Sequence, residues 1–413
     1  MKKFSISYMI GVVLYFSSLS VYAQSTDWQY WLSAQIQKHP DMIAAREQLL
    51  GNNAKADAIE QPLYNPELSS ELERNGKQNN YQLGIRQTID WWDRREVSRL
   101  KSGYIRNASE ALYQQQVLQA TAEAMATLVE WRAAKNVAAI AKKQYQQLQT
   151  QLELVQKRQR LGDLGSIDAE LTFLSLSQQL AQVAEAKVVL KKSEAKAREL
   201  IPSWTPKLGG VPQDFWPSSL SSNSNQDLLK HPRVASAYAR WQSQKEEAEL
   251  ARRTAKADPT VGIKTGQDGG KNVIGLTLSI PLNVRNDFSA ETRAAERAGL
   301  EEKARFQSIY RKQRFSWQAA YSVWKSFDQQ YQRWKKLAQG RVEKSAELLE
   351  RQWNSRDLST TDYLLALNQR AESLIAGIEL EKQTQLALLD ALKQSGLLLQ
   401  AKNAEHQITG IRK

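Results

Sequence analysis

The chain is 413 residues long, carries a formal charge of +13 and contains no cysteine. Disulfides, thiolate metal sites and lipid attachment through a cysteine are thereby excluded. The basic residues are interspersed with acids along helical stretches, the pattern of solvated helix surface rather than of a nucleic-acid-binding patch.

Lys2 and Lys3 precede an apolar run from about Ile10 to Leu19, and Val21-Tyr22-Ala23 follows at cleavage spacing. This predicts a secretory signal peptide over 1–23, its apolar stretch too short to span a bilayer. The alternative reading is an uncleaved anchor. No later segment approaches ~20 consecutive apolar residues, so no transmembrane helix is expected beyond it. The destination would be the bacterial envelope.

From there the elements read as helix, two strands, very long helix, turn and helix, twice over. In the first repeat (24–200) a helix is expected over 28–60, strands over 67–74 and 80–89, and a long helix over 92–160. A returning helix over 167–200 completes it. Residues 201–225 read as a linker. The second repeat (226–397) has a helix over 226–257, strands over 260–265 and 272–280, a long helix over 287–354 and a helix over 360–397. Residues 398–413 form a tail.

Four matches in order support the duplication. Lys38-His39-Pro40 recurs as Lys230-His231-Pro232, Asn65-Pro66 as Asp258-Pro259, and Leu83-Gly84-Ile85 as Ile274-Gly275-Leu276. Leu164-Gly165-Ser166-Ile167-Asp168 recurs as Leu358-Ser359-Thr360-Thr361-Asp362. The short helices of each repeat together match its long helix, and the first long helix would rise roughly 100 Å at 1.5 Å per residue. An aromatic stripe on the second long helix (Trp317, Tyr321, Trp324, Tyr331, Trp334) reads as packing against a neighbouring helix.

The strands alternate with a period of two. Tyr81, Leu83, Ile85 and Ile89 oppose Gln82, Gly84, Arg86 and Thr88, while Leu68 and Leu72 oppose Glu67, Glu71 and Glu73. Val261 and Ile263 oppose Gly262 and Lys264. One apolar and one wet face fit either a sheet packed on helices or a membrane barrel with a polar lumen. In the barrel reading Glu71, Arg86 and Lys264 are candidate lumen residues. Four strands cannot close a barrel, so that reading needs oligomerisation, and three copies would supply about twelve strands.

The long helices end in two turns, 160–168 and 354–362. Gly162 and Gly165 allow a tight reversal, Ser166 and Thr360 are candidate caps, and Asp168 and Asp362 fall in the first helical turn. With Arg160 and Arg356, three converging copies would place rings of charge at a narrow mouth. Trp91 and Trp92, where the first hairpin hands over to the long helix, fit either a membrane–water boundary or strand–helix packing.

Taken together, the signal peptide, duplicated plan and turn motifs resemble TolC-type outer-membrane efflux proteins over essentially the whole mature chain. Arg86-Gln87-Thr88-Ile89-Asp90-Trp91-Trp92-Asp93-Arg94-Arg95 and Ile280-Pro281-Leu282-Asn283-Val284-Arg285-Asn286 are similar to the CzcC-like branch, associated with heavy-metal efflux. The resemblance implies a mainly α fold with a small β part. It implies a homotrimer forming a 12-stranded transmembrane β-barrel and a long periplasmic α-helical barrel. It further implies a passive channel serving a periplasmic adaptor and an inner-membrane RND-type pump, in contact with outer-membrane lipid. The turns bearing Arg160, Gly162, Asp168, Arg356 and Asp362 would then be the periplasmic entrance and adaptor-docking surface, with Asp362 matching an entrance-lining position.

His39, His231 and His406 are the only histidines, and the first two precede proline in a helix-entry motif. No nucleophile–base constellation or phosphate-binding loop appears, so neither enzyme nor cofactor is expected. A channel for multidrug or other small molecules, and a periplasmic scaffold or adaptor that never spans the membrane, stand as alternatives.

Overall fold

The computed structural model describes residues 27–75, 78–162, 165–217, 220, 228–338 and 341–398. The expected signal peptide, Gly76-Lys77, Asp163-Leu164, most of the linker beyond 217 and the tail after 398 lie outside the described residues. In chain order the elements are α1 (27–37), α2 (Pro40–Glu60), β1 (Glu67–Asn75), β2 (Gln78–Thr88), α3 (Arg94–Arg160) and α4 (Ser166–Leu200). The second repeat follows with α5 (Pro232–Thr254), β3 (Thr260–Asp268), β4 (Lys271–Ser279), α6 (Ser289–Ala338), α7 (Arg341–Asn354) and α8 (Thr360–Ser395). Among the described residues no helix is long and apolar enough to cross a membrane.

Several boundaries differ from expectation. The first helix is not continuous, because Lys38 and His39 leave it before Pro40. Proline disfavours helix at the residue before it but suits the first helical turn. His39 Nδ1 accepts the Asp41 N–H (3.3 Å), and His231 Nδ1 accepts that of Arg233 (3.2 Å). Both histidines therefore cap at matched positions, and α5 starts at Pro232 rather than 226. The expected second long helix is described as α6 and α7, and Gln339-Gly340 between them lie outside the described residues. The second hairpin is longer than expected. Gly269 (φ 55°) and Gly270 (φ 80°) make a two-residue turn, which frees Gly266–Asp268 for the ladder.

The contacts divide into two units, each drawing on both repeats. One comprises the described residues of Ala44–Gln116 and Asp227–Gln313. It holds a four-stranded antiparallel sheet in the order β1-β2-β3-β4, in which β2 and β3 join the repeats. Its helices meet through Trp241 stacked on Phe306 at 5.5 Å and through the Ser236 hydroxyl, which donates to Ala108 O at 3.1 Å.

The other unit comprises the described residues of Met1–Ile43, Val117–Gln226 and Arg314–Lys413. Leu118, Met125, Leu128 and Val129 of α3 are buried there, and Trp131 meets Trp204 edge-on at 5.1 Å. The aromatic stripe of α6 packs as expected, with Trp317 and Trp324 buried. The Trp334 ring lies against Gly377 of α8, well inside the space a Cβ would need.

Candidate pore wall and helical tip

The sheet has one apolar and one polar face, and neither is covered as a soluble core would be. Leu68, Leu72, Ile274, Leu276 and Leu278 are exposed, Leu276 by 86 %. The registers place Leu72 beside Tyr81 and Leu68 beside Ile85. Ile85 stands beside Ile263 on β3, and Ile263 beside Leu276 on β4. The apolar face thus runs unbroken across all four strands. Its parity continues beyond the ladder through Ile280, Leu282 and Val284, the last 85 % exposed.

The opposite face gathers all three expected lumen residues. Arg86 lies opposite Glu67 and pairs with it at 3.2 Å, Glu71 lies opposite Gln82, and Lys264 stands between Gly84 and Gly275. Close approach demands a glycine at 262: a Cβ there would stand 2.6 Å from the Thr277 hydroxyl and 2.9 Å from Ile85 O, and one on Gly84 would be 3.0 Å from the Ser69 hydroxyl.

At the strand-to-helix junctions the two tryptophans part company. Trp92 donates its indole N–H to Ala257 O (2.9 Å) and lies 4.4 Å beneath the Lys256 ammonium, whereas Trp91 is 66 % exposed. Asp258, buried, accepts from the Tyr64 hydroxyl (3.0 Å) and the Trp91 N–H (3.3 Å) and pairs with Arg94. In the sequence Asp258 stands out only as the repeat mate of Asn65, because Tyr64 and Arg94 lie more than 160 residues away along the chain. Asp90 caps α3, accepting from the N–H groups of Arg94 (2.9 Å) and Arg95 (2.8 Å).

In the helical unit the two tip turns lie side by side. Leu148, Val155, Trp353, Tyr363, Leu364 and Leu367 form one buried cluster drawn from both repeats, and Arg158 covers the Trp353 ring at 4.6 Å. Burial raises the Tyr363 phenol above its usual pKa, the charge of Glu350 adds to this, and Arg370 opposes it. Arg160 ends α3, exposed, and Asp168 lies half-buried in the first turn of α4. Gly162 (φ 77°) and Arg356 (φ 68°) occupy matching left-handed positions. The caps fall one residue earlier than expected, at Gly165 and Ser359, so that Ser166 and Thr360 are already helical. Asp362 is exposed, and its N–H donates to Ser359 Oγ (3.1 Å) while its carboxylate accepts from the same hydroxyl (2.7 Å). Among the described residues no group of three His, Asp or Glu side chains is placed to share a metal ion.

No family model and no curated protein matches the sequence. Solved structures do. The outer-membrane channel OprN superposes with a TM-score of 0.74 at 14 % identity, over 90 % of each chain. The CmeC outer membrane channel of Campylobacter jejuni gives 0.71 at 15 %, over 89 % of this chain and 85 % of that one. CusC, studied for folding and transmembrane channel formation, gives 0.71 at 14 %, over 89 % and 91 %. The fold is that of TolC-type outer-membrane channels. In this TolC-type fold the two repeats each supply a hairpin to one sheet, and each supplies a turn to one tip.

Proposed function

We propose that three copies of this chain close a twelve-stranded barrel in the outer membrane and form the exit duct of a tripartite export system. The carrying observation is the open sheet: an exposed apolar face for lipid, a charged face for water, and two edge strands that one copy leaves unpaired. Edge strands and exposed apolar faces are liabilities that closure removes. The duct is passive. Energy and primary selectivity reside in an inner-membrane pump of the RND type, reached through a periplasmic adaptor that docks at the turns bearing Arg160, Gly162, Asp168, Arg356 and Asp362. Metal cations are the favoured cargo, on the resemblance of the segments 86–95 and 280–286 to the CzcC-like branch.

Heat-modifiable migration of the outer-membrane fraction, crosslinking to a trimer and conductance in planar bilayers test the reading together. A purified mature chain that is monomeric and stable in detergent-free buffer overturns it. Deletion of the chain should sensitise cells to divalent metal ions before organic drugs, and the reverse order overturns the cargo assignment alone.

A further inference from the structure

The two edge strands differ in charge on their polar faces. β1 presents Glu67, Glu71 and Glu73, whereas β4 presents Val273, Gly275, Thr277 and Ser279. Glu67 is engaged by Arg86, but Glu71 and Glu73 have no ion-pair partner among the described residues, and neither has Lys264. Lys264 lies opposite Gly275, and its Cγ and Cε stand 3.4 Å from where a Cβ on that glycine would be. The lysine stem is therefore laid across the last strand of the sheet.

The duplication supplies the register of closure. Asp268 stands 193 residues after Asn75 and Lys271 193 after Gln78, so the two hairpins share one internal register, in which Gly84 corresponds to Thr277 and not to Gly275 as the sequence match had it. Within a copy, β2 meets β3 with Gln82 opposite Gly266 and Gly84 opposite Lys264. Carrying each strand to its repeat mate, β4 of one copy meets β1 of the next with Gly275 opposite Glu73 and Thr277 opposite Glu71. The same mapping sets Leu276 beside Leu72 and Ile280 beside Leu68, so apolar residues stay on the apolar face.

We propose that Lys264 reaches across Gly275 to Glu73 and Glu71 of the next copy, making the closure seam an intersubunit ion pair inside the wall. The inference rests on the trimeric channel reading and adds its register and its charge pairing. Two strand spacings, about 9.6 Å, separate the backbones of Lys264 and the neighbouring β1. An extended lysine and a glutamate span that gap between them. The arrangement also selects its partner, since two β1 edges would oppose like charges. Head-to-tail closure into a ring is what remains.

The absence of native cysteine makes the test clean. In membranes carrying the full chain, Thr277→Cys combined with Glu71→Cys should yield disulfide-linked copies on non-reducing gels, and Thr277→Cys with Glu67→Cys should not. Lys264→Glu should lower the detergent-resistant trimer about tenfold or more. Lys264→Arg should keep the trimer, and Lys264→Glu with Glu71→Lys and Glu73→Lys should restore it. Trimers that crosslink only through the second cysteine pair overturn the register. Trimers indifferent to charge reversal overturn the ion pair. A wild-type chain that never trimerises overturns the channel reading itself.

Discussion

Asp258 and Arg94 form an ion pair where the sheet gives way to helices, the carboxylate 2 % exposed and the guanidinium 11 %. Asp258 directly precedes Pro259 and β3 in the second repeat, and Arg94 opens α3 in the first. The pair ties the two halves of the duplication together below their shared sheet.

Removing one partner of such a pair strands the other charge, which costs about 3–5 kcal/mol, whereas replacing both by apolar residues costs far less. Asp258→Asn should lower the melting temperature in detergent by several degrees, and Asp258→Leu with Arg94→Met should recover much of it. Equal losses in single and double variants would contradict the ion pair as the cause.

The tip turns give a contrast of sign. Arg356 holds a left-handed conformation that costs a side-chain-bearing residue about 1–2 kcal/mol, and Gly162 holds the same conformation without that cost. Arg356→Gly should stabilise by about 0.5–1 kcal/mol once the greater freedom of the unfolded glycine is subtracted. Gly162→Ala should destabilise by about 1 kcal/mol, although no atom lies within 4 Å of its Cβ position. Thermal unfolding followed by helical circular dichroism reads both.

Gly377 is the tightest glycine contact in the helical unit, its Cβ position already occupied by the Trp334 ring. Gly377→Ala should destabilise by about 1–3 kcal/mol through overpacking. Trp334→Leu in the same chain should relieve much of that loss. A Gly377→Ala chain that melts with the wild type would show that the ring moves aside freely.

Asp362 has a structural role at the Ser359 cap, and the proposed entrance would give it an electrical one as well. Its backbone N–H is held by the Ser359 cap, so Asp362→Asn removes charge while leaving that bond in place. Single-channel conductance or block by divalent cations should change in planar bilayers, with little effect on thermal stability. Identical conductance and block would remove Asp362 from the conducting path.

Much of this architecture was legible because it rests on local periodicity. Leu83 and Ile85 against Gly84 and Arg86 announce a two-faced strand, and Lys38-His39-Pro40 against Lys230-His231-Pro232 announces the duplication. What escaped depends on single backbone angles or on distant partners. Arg356 gives no sign of a left-handed φ, since nothing in its side chain requires one. The break at Lys38–His39 was hidden by helical composition on both sides, although Pro40 supplies its cause. The packing of Trp334 on Gly377 and the burial of Asp258 join residues far apart in sequence. Lys264 could be assigned to a face from its neighbours, but its alignment with Gly275 needed the ladder.

The apolar surface outlasts the hydrogen-bonded ladder. Regular strand ends at Ser279, yet outward-facing side chains continue to Val284, and Asn283 between them donates to Ala255 O at 2.8 Å. Hydrocarbon tolerates no unsatisfied amide, while the headgroup zone is wet enough to serve them. Under the channel reading, the inner rim of the oily slab falls close to Pro281, which has no amide hydrogen to satisfy. Leu282, Val284 and Trp91 then rest among glycerol and phosphate, and the depth at which the duct floats is set by residues outside its ladder.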